Sequence, residues 1–207
     1  ILFNASCLDA QIAPTLTVPR GHKTVIRYYN FTPNDKYLVS TDEDHLLCIW
    51  DGDDGRQLFT FQDSTASFNR IEINNASNLI AALTDNGKLY LIHLNSLKAE
   101  LVKDSVLDFS MQKNNGTIFM IAEQAIYKYI PGQSTLKKLK TGAVTDPAKI
   151  FTLSENEVCI KESGREIFIL NELTGRRLPI PGTKYMTVHD LHAETGYILC
   201  SEIEREG

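Results

Sequence analysis

Small antiparallel sheets of four strands, repeated around a common axis, are the fold this chain predicts, and three observations predict it. Helical periodicity is almost absent, and the one candidate, residues 97–102 (LKAELV), is too short to stand alone. Short apolar or alternating runs broken by Asn, Asp, Gly and Pro fill the chain instead, the pattern of strands and turns. These runs come in sets of four. The third run of each set carries Trp50, Ile92, Tyr129 and Leu170 at equivalent places, steps of 42, 37 and 41 residues. A sheet with two apolar faces must cover both, so such sheets stack. A period of about 40 with four strands per unit marks a β-propeller.

In order, residues 1–18 read as the second half of a blade, with strands over 1–4 and 15–18. The first full blade, 21–61, has strands over 25–31, 36–40, 46–50 and 57–61. A Thr-Pro-Asn-Asp turn separates the first two, and an acidic turn over 41–44 separates the next two. The second blade, 68–102, has strands over 69–73, 78–83, 88–93 and 99–102. The third, 106–139, has them over 106–111, 117–122, 125–130 and 135–139. The fourth, 149–180, has them over 149–153, 157–160, 166–170 and 176–180. A partial blade over 185–207 opens with 185–191 and 197–203, giving about five blades. Gly55 and Gly175 support the register, each five residues past Trp50 or Leu170. The two half blades either close a ring, with 1–4 pairing 197–203 and no edge left open, or belong to a longer propeller. The expectation is a piece of a larger protein.

Composition narrows the classes. Of 207 residues, 43% are hydrophobic and 23% charged, enough for a core. A net charge of -5 leaves no general basic footprint, so nucleic acid is not the expected partner. No apolar run approaches the length of a membrane span, and the first ten residues lack the basic leader of a signal peptide. Cys7, Cys48, Cys159 and Cys200 form no CxxC pair. They read as free thiols of a reducing compartment, which points to the cytoplasm or nucleus. The N-x-S/T matches at Asn4, Asn30, Asn75 and Asn115 are set aside, because the tripeptide is common by chance.

The stretch 21–51 is the most informative. It opens on Gly21-His22, closes on Trp50-Asp51 and holds the only tryptophan. An indole N–H and an imidazole are costly to bury unless paired. This stretch resembles one WD40 repeat. The resemblance implies a structural tetrad of His22, Ser40, Asp44 and Trp50. It also implies a rigid propeller that takes a protein or peptide on its loop face. Alignment to the Gly-His and Trp anchors places Arg27, Glu43, Asn69 and Asp85 on that face. The later units depart from the motif. The second keeps Asp85-Asn86-Gly87 but has Ile92-His93 for Trp-Asp, the third has Tyr129-Ile130, the fourth Leu170-Asn171, and none has Gly-His. By family analogy, the expected setting is a larger multidomain protein such as an apoptosome-like adaptor.

Other sites are mostly excluded. GxGxxG, GxxxxGK[ST] and GxSxG are absent. The run Asp51-Gly-Asp-Asp-Gly-Arg places its second Gly fifth rather than sixth and lacks the terminal Glu of a calcium loop. His189 and His192 are three apart, which on a strand sends them to opposite faces. No catalytic residue, metal or cofactor is expected. One alternative is a propeller enzyme with carboxylates at the channel mouth. The inner strands begin with Val25, Phe68, Val106 and Ile150, which does not make a catalytic funnel. Another is an RNA-associated propeller using Lys137, Lys138, Lys140, Arg176 and Arg177. Lysines on an outer strand also serve simply to discourage edge pairing.

Overall fold

The computed structural model describes residues 21–74, 76–133, 135–140, 142–144, 148–192 and 197–202. The expected half blade over 1–18, with Cys7 and Asn4, lies outside these residues, as do Asn75 and 203–207. The described chain is all-β. Its first sheet holds β1 (Ile26–Phe31), β2 (Tyr37–Asp42), β3 (Leu46–Asp51) and β4 (Gln57–Gln62). The second holds β5 (Phe68–Asn74), β6 (Leu79–Thr84), β7 (Leu89–His93) and β8 (Lys98–Lys103). The third holds β9 (Val106–Met111), β10 (Ile118–Ala122), β11 (Ala125–Ile130) and β12 (Thr135–Lys138). The fourth holds β13 (Ala148–Thr152), β14 (Glu157–Glu162), β15 (Ile167–Asn171) and β16 (Arg177–Ile180). A last hairpin pairs β17 (Met186–His192) with β18 (Tyr197–Glu202). Each sheet is an antiparallel meander in chain order. The helix candidate over 97–102 is strand β8, entered through Leu97 at a φ of 50°.

Why these sheets stack is legible in their second strands. A sheet solvated on one face alternates apolar and polar residues, but one packed on both faces reads as a continuous apolar run. β6 (LIAALT) and β10 (IFMIA) are buried at every position. The two faces of each strand serve different cores. Leu79, Ala81 and Leu83 join Ile118, Met120 and Ala122 between the second and third sheets. Ile80 and Ala82 join Val39, Leu47 and Ile49 between the first and second. Phe119 and Ile121 meet Val158, Ile160 and Leu170 between the third and fourth. Cys159 and Ile167 pack on Val188 of the hairpin. Each fully buried Leu or Ile contributes about 1.5–3 kcal/mol, so the stack is held chiefly by its inter-sheet layers. The outermost strands face water, and β12 is exposed throughout.

The innermost strands are tied by polar side chains. Arg70, Glu72 and Asn74 alternate along β5. Asp108 and Ser110 lie two apart on β9, and Gln112 follows two residues further on. Glu72 accepts the Met111 amide at 2.7 Å, and Asn74 donates to the Gln112 carbonyl. Asp108 accepts the Ile150 amide at 2.9 Å, Ser110 accepts the Thr152 amide at 3.0 Å, and Gln112 donates to Ser154 and Glu155. Inner strands of neighbouring sheets share no backbone ladder, so Glu72, Asp108 and Ser110 satisfy amides, and Asn74 and Gln112 carbonyls, that the ladder would otherwise pair. A comparable tie closes the fourth sheet on the hairpin. The buried Lys161 ammonium donates to the Thr183 and Lys184 carbonyls at 2.9 Å each and also to that of Arg165.

Candidate interaction face

Four side chains latch the first sheet. Trp50 Nε1 donates to Ser40 Oγ at 2.7 Å, and Ser40 Oγ lies 2.6 Å from His22 Nε2. His22 Nδ1 lies 2.7 Å from Asp42 Oδ2. One proton arrangement fits them all. The indole donates to the serine, the serine hydroxyl donates to Nε2, and Nδ1–H donates to the carboxylate. Asp42 Oδ1 then accepts the Asp44 and Leu46 amides, at 3.0 Å each, and so caps the turn between β2 and β3. Gly21 precedes the latch because a Cβ there would stand 3.1 Å from the Trp50 ring.

The acid of this tetrad is Asp42, which corrects the expected Asp44. Strand phase is the reason. Ser40 and Asp42 are two apart on β2 and share a face. Asp44 lies beyond the strand in the turn, exposed, and contributes only its amide to the network.

The latch positions the turn residues beside it. Opposite this turn in each of the first three sheets, the inner strand carries one extra residue. Ile26 pairs Asp42 and Tyr28 pairs Thr41, leaving Arg27 in a bulge. Phe68 pairs Thr84 and Arg70 pairs Leu83, leaving Asn69. Val106 pairs Ala122 and Asp108 pairs Ile121, leaving Leu107. The fourth sheet keeps unbroken register at its corresponding end. A bulge re-aims the side chain it carries, and Arg27, Asn69 and Leu107 are all exposed. The residue that follows the second strand completes each pair: Glu43, Asp85 and Glu123. Glu43 and Asp85 are held alike, their amides donating to Val25 and Ser67 at 3.1 and 2.9 Å.

The four expected face residues therefore fall into two pairs. Arg27 and Glu43 form an ion pair, 2.5 Å apart. Asn69 and Asp85 line one recess of about 330 Å³ between the second and third sheets, shared with Thr84, Gly87, Val106 and Leu107. Gly87 has a φ of 85°, and a Cβ there would meet the Val106 carbonyl oxygen at 3.1 Å. Only glycine suits that corner.

A larger cavity of about 1020 Å³ lies along the inner strands, bordered by Tyr28, Arg70, Glu72, Gln112, Lys149 and His189. Its carboxylates are not among the candidates that local motifs single out. The signal that would have found them is the polar alternation of β5 and β9. Burial pushes the Glu72 carboxyl up, and Arg70 and the Met111 amide offset that only in part. Burial would lower the Arg70 guanidinium, but Asp108 and Glu72 hold it above its ordinary value. All four carboxylate oxygens are already engaged. Arg70 bonds one oxygen of each, and the Met111 and Ile150 amides take the others. The Arg70, Glu72 and Asp108 cluster therefore binds neighbouring sheets together.

Three of the other candidates have local partners. Arg177 donates to the Gly142 carbonyl at 2.7 Å and stacks on Phe168, and Lys138 lies over Tyr127. His189 lies 2.7 Å from the Ser201 hydroxyl. Among the described residues, no three His, Cys, Asp or Glu side chains are grouped to hold a metal ion. Among the same residues, no helix is long and apolar enough to cross a membrane.

Meandering four-stranded sheets, stacked face to face, the first of them latched by Trp, Ser, His and Asp, define a WD40-type β-propeller fold. Solved structures agree. The chain is similar to the WD40 domain of Toxoplasma gondii coronin, with a TM-score of 0.65 and 15% identity over 88% of this chain and 54% of that one. U3-55K is similar at a TM-score of 0.61 and 15% identity, over 78% of this chain and 53% of that one. The RRP9 WD40 repeats follow at 0.61 and 13%, over 79% and 53%. The chain thus spans about half the length of these three chains. No family model and no curated protein matches it.

Proposed function

We propose that this chain is a non-catalytic interaction scaffold within a larger protein or assembly, such as an apoptosome-like adaptor, in the cytoplasm or nucleus. It binds a protein or peptide through the face that carries Arg27, Glu43, Asn69 and Asp85. The observation that carries this reading is the repeated bulge-and-turn pair. Rigid sheets fix the backbone on both sides of it, while the side chains stay in water. Charged groups on a fixed scaffold select partners by complementarity at little ordering cost.

Two apolar faces favour a larger whole. Tyr29 and Phe31, two apart on β1, lie outside the core between the first and second sheets, and Tyr29 is 74% exposed. Tyr197 and Leu199 stand on the hairpin face that turns away from the fourth, and Tyr197 is 76% exposed. Patches of this kind mark contact surfaces. In the intact protein, we infer, further blades cover them.

The test is affinity capture with the wild type and with an Arg27→Ala/Glu43→Ala/Asp85→Ala variant. Partners that the wild type retains should be lost by the variant while its circular dichroism spectrum is unchanged. Retention of the same partners by the folded variant would refute the assignment of the face.

A further inference from the structure

We propose that the recess between the second and third sheets takes an arginine side chain of the partner polypeptide, an inference that rests on this face being the binding face. Three equivalent turns allow an internal comparison. In the first sheet, bulged Arg27 neutralises Glu43. In the third, Lys103 and Tyr127 both donate to Glu123, at 2.8 and 2.9 Å. In the second, the bulge carries Asn69, and the Asp85 carboxylate has no hydrogen-bonding or ionic partner among the described residues. The Asp85 amide donates to the Ser67 carbonyl at 2.9 Å, which fixes the backbone that carries the carboxylate.

The walls of the recess suit an arginine. Leu107, 44% exposed, lines the same recess as Asp85. An arginine lays its aliphatic stem on apolar surface and keeps a planar fork of donors for a carboxylate. The arrangement would reproduce between two molecules the pair that Arg27 and Glu43 make within one. At Glu43 and Glu123 an incoming cation must displace one already present. At Asp85 it need displace only water.

Titration of acetyl-Leu-Arg-Leu-amide into the ¹⁵N-labelled protein, beside the same peptide with citrulline for arginine, tests this. The Asp85 and Leu107 amides should shift, and the arginine peptide should bind roughly two- to fivefold tighter, as expected of an exposed ion pair. That preference should vanish in Asp85→Asn. It should also vanish in Asn69→Arg, which rebuilds the first sheet's internal pair in the second. Both positions are exposed, so circular dichroism should show both variants folded. Equal affinity for the two peptides, a preference that survives either substitution, or no shift with either peptide overturns the proposal. An arginine preference mapped to Arg27 and Glu43 removes the recess assignment but keeps the binding face. Shifts confined to the outer strands remove both.

Discussion

The first and second sheets solve one problem in two ways. Each must fasten its incoming loop to its third strand. In the first, His22 does so through Ser40 to Trp50, with Asp42 behind it. In the second, Ala82, Thr84 and Ile92 stand where Ser40, Asp42 and Trp50 stand, and the network has been replaced by packing. The fastening moves to Asp63. It accepts from the Thr65 amide and hydroxyl at 2.8 and 2.6 Å, from Tyr90 at 2.6 Å and from Lys88 at 3.0 Å. The Trp-Ser-His-Asp latch is therefore one way to close such a sheet and not a condition for it. What the sheets share is the apolar layer between them.

The largest expected loss tests that shared layer. Ile92→Ala and Phe109→Ala empty fully buried sites and should each cost about 2–5 kcal/mol in chemical denaturation. Trp50→Ala should cost less than a fully buried aromatic, about 2–3 kcal/mol, because its ring is partly exposed. A Trp50 loss larger than that of Phe109 would make the latch, and not the layer, the main support.

Next comes Asp63. Burial alone would raise its carboxyl, but the Thr65, Tyr90 and Lys88 donors outweigh burial and hold it well below the usual carboxylate range. A depressed folded value means that the stabilisation is complete above the unfolded value, about 3.9, and is lost as the pH falls below it. Asp63→Asn should therefore be less stable than the wild type by about 1.5–3 kcal/mol at pH 7, with the gap closing below about pH 4. A gap that is constant down to pH 2 would show that the charge is not what fastens this loop.

Smaller effects separate the latch from its surroundings. Asp42→Asn should cost about 1–3 kcal/mol, since a buried charged acceptor is lost, whereas Asp44→Asn should stay within about 0.5 kcal/mol. Arg27→Ala should also change stability by less than about 1 kcal/mol, being an exposed pair. Smallest of all, the buried Cys48 and Cys159 thiols, pushed up by burial to about 11 and about 12, should resist a thiol reagent at pH 8 until the protein unfolds.

The sequence carries the fold because stacking leaves a coarse imprint. A period near 40 residues and strands such as LIAALT, apolar on both faces, follow directly from sheets packed on both sides. Site details are finer than that imprint. Three acids lie between Thr41 and His45, and only the strand phase set by Ser40 selects Asp42 over Asp44. Arg70 and Asp108 are joined across 38 residues of chain, and no local pattern pairs them. Asn69 and Asp85 could be placed on a face from their spacing alone. That Asp85 lacks, among the described residues, the cation its counterparts have emerges only when the three turns are set side by side.

Binding by His22→Ala tests most directly whether the latch is scaffold and the turns beside it are the binding surface. Affinity for a partner found by capture would be measured well below that variant's lowered unfolding midpoint. The midpoint should fall while the affinity stays within about twofold of wild type, since an interaction absent from the interface contributes little to binding. A folded His22→Ala protein with unchanged stability and no binding would contradict this account.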